Sequence, residues 1–213
     1  MLRVGPLALL SLVVLAFPAF GATIVFSTYA PGATYDPIAA YTVGMGYTTG
    51  NLFQPSMSGK LTEIDLALGH YPGTQDDIVN IQLMTDNNGA PGSLLEAFTV
   101  QATSPFGTQG TVVPALSVAQ PILDADQAYW LLMTSDAQSN NPWYYNTLNV
   151  TGLVWSSWNN GTFFPDSPMA TFTVFDSEIY APEPSSFALV VCALCLGVAV
   201  RALLIRRLAT RRL

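Results

Sequence analysis

The chain has 213 residues, of which 50% are hydrophobic, and it carries 14 acidic and seven basic side chains. Residues 22–181 hold 13 of the acids and a single basic residue, Lys60, so this span has a formal charge of −12. Because proteins bind nucleic-acid phosphates through Lys and Arg, the composition excludes nucleic acid as a partner.

Residues 1–21 have the order of a secretory signal peptide. Arg3 supplies a positive charge, residues 7–20 are largely apolar, and Ala19 and Gly21 are small residues suited to a cut after Gly21. We therefore expect a signal helix over residues 1–21. The rest up to residue 181 has the length of one exported domain.

This domain reads as short strands separated by Gly, Pro, Asn and Asp. Apolar and polar side chains alternate in residues 61–68 and 77–84, which predicts strands with one buried and one wet face. Residues 127–134 are apolar on both faces, so we expect them at the centre of a sheet. Further strands are predicted at residues 22–28, 41–45, 52–54, 94–100, 111–118, 153–155 and 170–175.

Two local features complete the predicted architecture. Asn88-Gly89 favours a tight hairpin turn, because both residues tolerate positive φ. In the last strand we expect Phe172 and Val174 to point inward and Thr171 and Thr173 outward. No segment of the domain has a helical period, so we predict an all-β, antiparallel two-sheet β-sandwich of the jelly-roll kind.

Groups for catalysis are scarce in the domain. His70 is its one histidine, it has no cysteine, and it has no Gly-x-Ser-x-Gly motif. We place His70 in a loop and expect no enzyme activity. A hydrolase that uses two carboxylates stays as the last alternative, although the acid pairs at residues 76–77 and 124–126 fall in turns.

Three acids raise the question of calcium, which takes six to eight oxygen ligands. Asp86 precedes the Asn88-Gly89 turn, and Asp124 and Asp126 lie close together in another turn. We favour turn roles for all three and predict no metal or other cofactor, with Ca²⁺ as the alternative.

Aromatic residues next to polar turn residues suggest glycan binding, because flat rings stack on sugar rings while amides bond the hydroxyls. Trp143, Tyr144 and Trp158 are the candidate contacts. Trp130 and Trp155 lie inside apolar runs, so we expect them in the core.

The last 32 residues have three parts. Pro182-Glu183-Pro184 is rigid and extended, and residues 185–205 form an apolar transmembrane segment interrupted near its end by Arg201. A basic tail follows, with Arg206, Arg207, Arg211 and Arg212. Positive residues stay on the cytoplasmic side, so we expect the C-terminus there and residues 22–181 outside. Cys192 and Cys195 fall within the apolar segment, where we expect them to be plain apolar residues.

This order resembles the PEP-CTERM protein-sorting signal of Gram-negative bacteria. The resemblance implies export, a transient single-pass anchor in the inner membrane, and an exosortase as the partner that processes the tail. The chain would then reach the cell surface or the extracellular polysaccharide.

The domain itself is similar to the choice-of-anchor R type of exported bacterial domain, which implies a β-sandwich and surface attachment. The similarity is carried by residues 58–68, 88–92, 126–131, the Trp155 region and residues 170–172.

We therefore expect a non-catalytic exported protein of the cell surface or exopolysaccharide. The alternatives are a carbohydrate-binding module, calcium-dependent or not, and last a polysaccharide hydrolase.

Overall fold

The computed structural model describes residues 22–29, 35–44, 46–73, 77–135, 140–157 and 161–178. Within these ranges no helix has the length and hydrophobicity that a membrane crossing requires. The predicted signal helix, the Pro-Glu-Pro motif and the segment 185–205 lie outside them.

Most of the described residues lie in β-strands, as predicted. The fifteen strands are β1 (Ala22–Ser27), β2 (Tyr35–Gly44), β3 (Thr48–Phe53), β4 (Gly59–Leu66), β5 (Gly69–His70), β6 (Ile78–Asp86), β7 (Pro91–Gln101), β8 (Ser104–Pro105), β9 (Val113–Leu116), β10 (Ile122–Leu123), β11 (Tyr129–Thr134), β12 (Asn140–Asn146), β13 (Thr151–Ser156), β14 (Thr162–Pro168) and β15 (Phe172–Glu178). Neither β12 nor β14 was predicted from the sequence.

Two large sheets organise the domain. In the first, here the β4 sheet, the strands run in the order β1-β15-β4, and β9 and β10 both pair with β4. The second, the β11 sheet, has the order β14-β13-β3-β11-β6-β7. All pairings within both sheets are antiparallel. The central position predicted for residues 127–134 is confirmed, since β11 lies between β3 and β6.

Side chains from both sheets meet in one hydrophobic core. Phe53 of β3 lies 5.3 Å from Phe26 of β1 and 5.7 Å from Phe172 of β15, measured between ring centroids. The apolar faces predicted for residues 61–68 and 77–84 are buried in this core. Burying each such side chain stabilises the fold by about 1.5–3 kcal/mol. The alternation in these two strands therefore decides which face of each sheet points into the core.

A third element, the β2–β12 ribbon, is a separate pair of antiparallel strands. A ring of backbone hydrogen bonds fixes it to the β4 sheet. Ala67 N–H donates to Thr171 O (3.1 Å), Thr171 N–H to Tyr144 O (2.7 Å), and Tyr144 N–H to Ala67 O (3.1 Å). The ribbon thus covers the ends of β4 and β15. Sequence patterning missed β12 because it contains Pro142, which typically breaks strands.

The predicted faces of the last strand are partly wrong, because the ribbon and the end of β1 pack over the side that was expected to face outward. Phe172 and Val174 are buried as predicted, but Thr171 and Thr173 are buried too, with 0% and 2% exposure, so their predicted outward position is wrong. Thr173 Oγ1 lies 2.7 Å from Ser27 Oγ. Thr171 lies under the ribbon, where its backbone carbonyl accepts the indole N–H of Trp143 at 3.1 Å.

One buried carboxylate joins the two large sheets. Glu96 of β7 is 8% exposed. Its oxygens accept bonds from Ser117 Oγ at 2.5 Å, Val118 N at 2.7 Å and Ala119 N at 2.9 Å, all in the chain that follows β9. Because β7 belongs to the β11 sheet and β9 to the β4 sheet, this carboxylate holds neighbouring edges together.

We expect Glu96→Ala to lower the free energy of unfolding by about 1–3 kcal/mol, because it removes the acceptor of three donors in a mostly buried site. Glu96→Gln keeps one acceptor oxygen and should lose less. Urea unfolding measures both, with Asp126→Ala, which removes an exposed acid, as the control. Equal stability of Glu96→Ala and the unaltered chain would contradict the role of this carboxylate.

Candidate functional site

Two of the three predicted glycan contacts are buried in the structure. Trp143 and Tyr144 are both 0% exposed, so the prediction that they lie on the surface is wrong. Their ribbon packs onto the β4 sheet, and the ring of Tyr144 stacks on Tyr35 with centroids 4.7 Å apart. Trp158 lies outside the described residues. Trp130 is fully buried, as predicted, and Trp155 is half-buried.

The acids proposed as calcium ligands occupy turns. Asp86 Oδ1 accepts Gly89 N–H at 3.0 Å and the Trp130 indole N–H at 2.8 Å. Asn88 and Gly89 have φ of 54° and 83°, so the predicted hairpin turn is confirmed. Asp124 and Asp126 are exposed in a separate turn. No group of three or more His, Cys, Asp and Glu side chains within the described ranges is arranged to hold a metal ion.

His70 lies in β5, a two-residue strand parallel to β8, rather than in the loop predicted for it. Its Nδ1 is 3.5 Å from Asp77 Oδ1. Asp77 comes from the chain just before β6, so the two side chains hold neighbouring segments side by side.

Two further acids, Glu63 and Asp65, were predicted only as part of the solvent-facing side of a strand. Glu63 and Asp65 lie two residues apart on β4 and share a hydrogen bond. Burial, and then the charge of Asp65, raises the pKa of the Glu63 carboxyl. Burial also raises the pKa of Asp65, although its bond to Glu63 acts in the opposite direction. The pair therefore retains a proton more readily than isolated carboxyls do.

A concave surface lies elsewhere on the domain. A cleft of about 650 Å³ opens between the β2–β12 ribbon and the β14 edge of the β11 sheet. The ribbon contributes Tyr41, Thr42, Gly44, Asn140 and Tyr145; the chain entering β3 contributes Tyr47 and Thr49; and β13 and β14 contribute Ser156, Phe164, Ser167 and Pro168. We call this surface the tyrosine cleft.

Tyr41 makes one contact between the two walls of the tyrosine cleft and one contact within the ribbon wall. Its hydroxyl donates to the carbonyl oxygen of Pro168 at 2.7 Å, which links the ribbon to β14. Its ring meets Tyr145 edge to face, with centroids 4.6 Å apart and planes at 77°. Tyr145 lies at a β-bulge, where the ribbon register shifts between Tyr144 and Asn146. Bulges re-aim side chains, which explains why Tyr145 lines the cleft while Tyr144 is buried.

The described residues that line the tyrosine cleft carry no charge at neutral pH. None of them is Asp, Glu, His, Lys or Arg. Burial raises the pKa of Tyr145, and burial together with the nearby Tyr145 raises the pKa of Tyr41 far above its usual value. Both phenols are therefore neutral throughout the physiological range.

Sequence reasoning missed this cleft because it selected aromatics by their polar neighbours. The available signals were the tyrosines of residues 41–47 and the aromatic pair Phe163-Phe164, but the strands that bring them together are distant in sequence. Comparison with known proteins adds no assignment, since the chain matches no model of a protein family and no curated protein. The two resemblances drawn from the sequence thus stay predictions.

We expect Trp143→Ala to lower the free energy of unfolding by about 3–5 kcal/mol, because it empties a fully buried site. Trp143→Phe keeps most of the ring volume and loses mainly the bond to Thr171 O, at a cost of about 1 kcal/mol. Urea unfolding distinguishes the two. If Trp143→Ala left the free energy of unfolding unchanged but weakened binding to a glycan, the result would contradict the buried role of Trp143. It would instead support the prediction that Trp143 is a surface contact.

We expect stability to fall as pH rises through the titration of Glu63 and Asp65. The raised pKa values mean that the folded chain binds these protons more tightly than the unfolded chain, so their contribution is greatest below about pH 4 and is lost as the pair ionises. Glu63→Gln should therefore raise Tm at pH 7 and not at pH 3.5. The gain is only about 1–3 °C, because solvent screens the pair.

Thermal unfolding across this pH range checks the expectation, with Asp126→Asn, which changes an exposed acid, as the control. An equal rise in Tm at both pH values would show that the effect does not come from titration.

Proposed function

We propose that the chain is a non-catalytic, exported protein of the cell surface or exopolysaccharide. The observation that carries this proposal is the chemistry of the tyrosine cleft. The described residues of its walls offer hydroxyls, an amide and aromatic rings, and none of them has a carboxylate, imidazole or amine that could act as a general acid or base near neutral pH. A concave surface of this kind suits binding better than catalysis.

For the exported domain we propose a jelly-roll-like β-sandwich. Two antiparallel sheets whose side chains share one core support this architecture. The β2–β12 ribbon and the short β5–β8 pair are additions at its ends. The similarity to the choice-of-anchor R type agrees with this proposal.

The proposed route to the surface rests on the two ends of the chain. Residues 1–21 direct export, residues 185–205 hold the protein in the inner membrane with the arginine tail in the cytoplasm, and an exosortase recognises the tail at Pro182-Glu183-Pro184. The order of these three parts in the sequence supports the proposal.

We expect fractionated cells to contain a mature protein shorter at both ends, in the surface or matrix fraction. Without an exosortase, the protein should stay in the inner membrane with its arginine tail attached. Intact mass measurement distinguishes the two forms. The double variant Pro182→Ala, Pro184→Ala should behave like the strain that lacks the exosortase, whereas Pro165→Ala, which changes a proline outside the motif, should not.

The complete chain free in the cytosol, or a full-length mass at the surface in both strains, would contradict the sorting route.

The tyrosine cleft favours one second candidate, a carbohydrate-binding module. Aromatic rings beside hydroxyl and amide groups are the usual chemistry of sugar sites. A glycan array with and without EDTA would test this function and any need for calcium. The hydrolase alternative gains no support from the cleft walls.

A further inference from the structure

Aromatic rings dominate the apolar part of the tyrosine cleft. Tyr47, Tyr145 and Phe164 come from three different segments, and each ring is half-buried, so part of its surface stays open to the cleft. Half-buried rings of this kind offer flat apolar area at little entropic cost, because each has only two side-chain torsions. They would stack against the C–H faces of a sugar ring.

Polar groups lie beside these rings. Thr42, Asn140 and Ser167 contribute hydroxyl and amide groups to the cleft lining. The Oδ1 atom of Asn140 is buried and makes no hydrogen bond to the described part of the chain. Neutral donors and acceptors of this type bind sugar hydroxyls, whereas a carboxylate or phosphate ligand needs Lys, Arg or clustered N–H groups.

The charge of the cleft lining and of the whole domain also limits which class of ligand can bind. No cation is found among the described residues of the cleft lining, and residues 22–181 have a formal charge of −12. A polyanion such as a polyuronate would approach against this field without a paired cation at the site. An uncharged polysaccharide carries no such penalty.

The walls are also held in place before any ligand arrives. The bond from Tyr41 to Pro168 links the ribbon to β14, and the edge-to-face contact between Tyr41 and Tyr145 holds these two rings together within the ribbon. The volume of about 650 Å³ falls within the range of small-molecule sites, about 300–1,000 Å³. A preformed cleft loses little freedom when it binds a ligand segment.

We propose that the tyrosine cleft binds a segment of an uncharged polysaccharide, with Tyr47, Tyr145 and Phe164 as the stacking surface and Thr42, Asn140 and Ser167 as partners of the hydroxyls. This inference rests on the carbohydrate-binding candidate function. It adds the site, the contact residues and the neutral class of ligand.

Affinity electrophoresis in native gels tests the proposal, with the full-length chain kept in a detergent that has no sugar head group. The probes are galactomannan and dextran as neutral polysaccharides and alginate as the polyuronate. We expect galactomannan or dextran to retard the chain and alginate to leave its mobility unchanged. Tyr47→Ala and Phe164→Ala should each weaken binding about tenfold.

Phe163→Ala is the matched control. Phe163 precedes Phe164 on β14 but is absent from the cleft lining, and its ring contacts Trp130 at 5.9 Å. We expect this variant to bind within about twofold of the unaltered chain. If a cleft variant fails to fold, NMR titration of the unaltered chain with galactomannan oligosaccharides gives an independent test, because amides of β2, β12 and β14 should shift.

The possible outcomes distinguish an error in the proposed site from an error in the proposed carbohydrate-binding function. Binding to neutral polysaccharide that the cleft variants do not weaken, or shifts confined to other strands, would overturn the site and leave carbohydrate binding standing. Retardation by alginate alone would overturn the neutral class. No retardation by any of the three would overturn both this inference and the carbohydrate-binding candidate, while surface delivery is judged separately by fractionation.

Discussion

The ring of backbone hydrogen bonds among Ala67, Tyr144 and Thr171 is the constraint on which the shape of the domain depends. It anchors the β2–β12 ribbon to the β4 sheet, and Trp143 strengthens the junction by filling the space beneath it and donating to Thr171 O. Every backbone group in this ring is paired in a buried setting, where an unpaired group would be costly. The junction thereby helps to set the position of the ribbon relative to the β11 sheet.

The tyrosine cleft is a consequence of that position. One wall belongs to the ribbon and the other to β13 and β14, which are members of a different sheet. The bond from Tyr41 to Pro168 then closes the arrangement on the far side. The proposed binding surface is the gap where these two elements meet, and Tyr47 of the connection between β2 and β3 completes it.

Charge is distributed in the domain in a way that suits this surface. The half-buried Asp86 accepts the N–H groups of Gly89 and Trp130, and the buried Glu96 accepts one O–H and two N–H donors. The coupled pair Glu63 and Asp65 lies on β4 and takes no part in the cleft lining. None of the acidic side chains of the domain is among the described residues that line the cleft, which is consistent with an uncharged ligand.

The sequence by itself determined the all-β class, the hairpin at Asn88-Gly89 and the central place of β11, because each follows from local alternation or from a backbone conformation that few residues adopt. It could not determine β12, the burial of Trp143 and Tyr144, or the cleft. Those depend on strand register, on the bulge at Tyr145 and on pairings between residues about 100 positions apart, such as Tyr41 with Trp143. A one-residue difference in register exchanges buried and exposed aromatics, and only tertiary packing decides it.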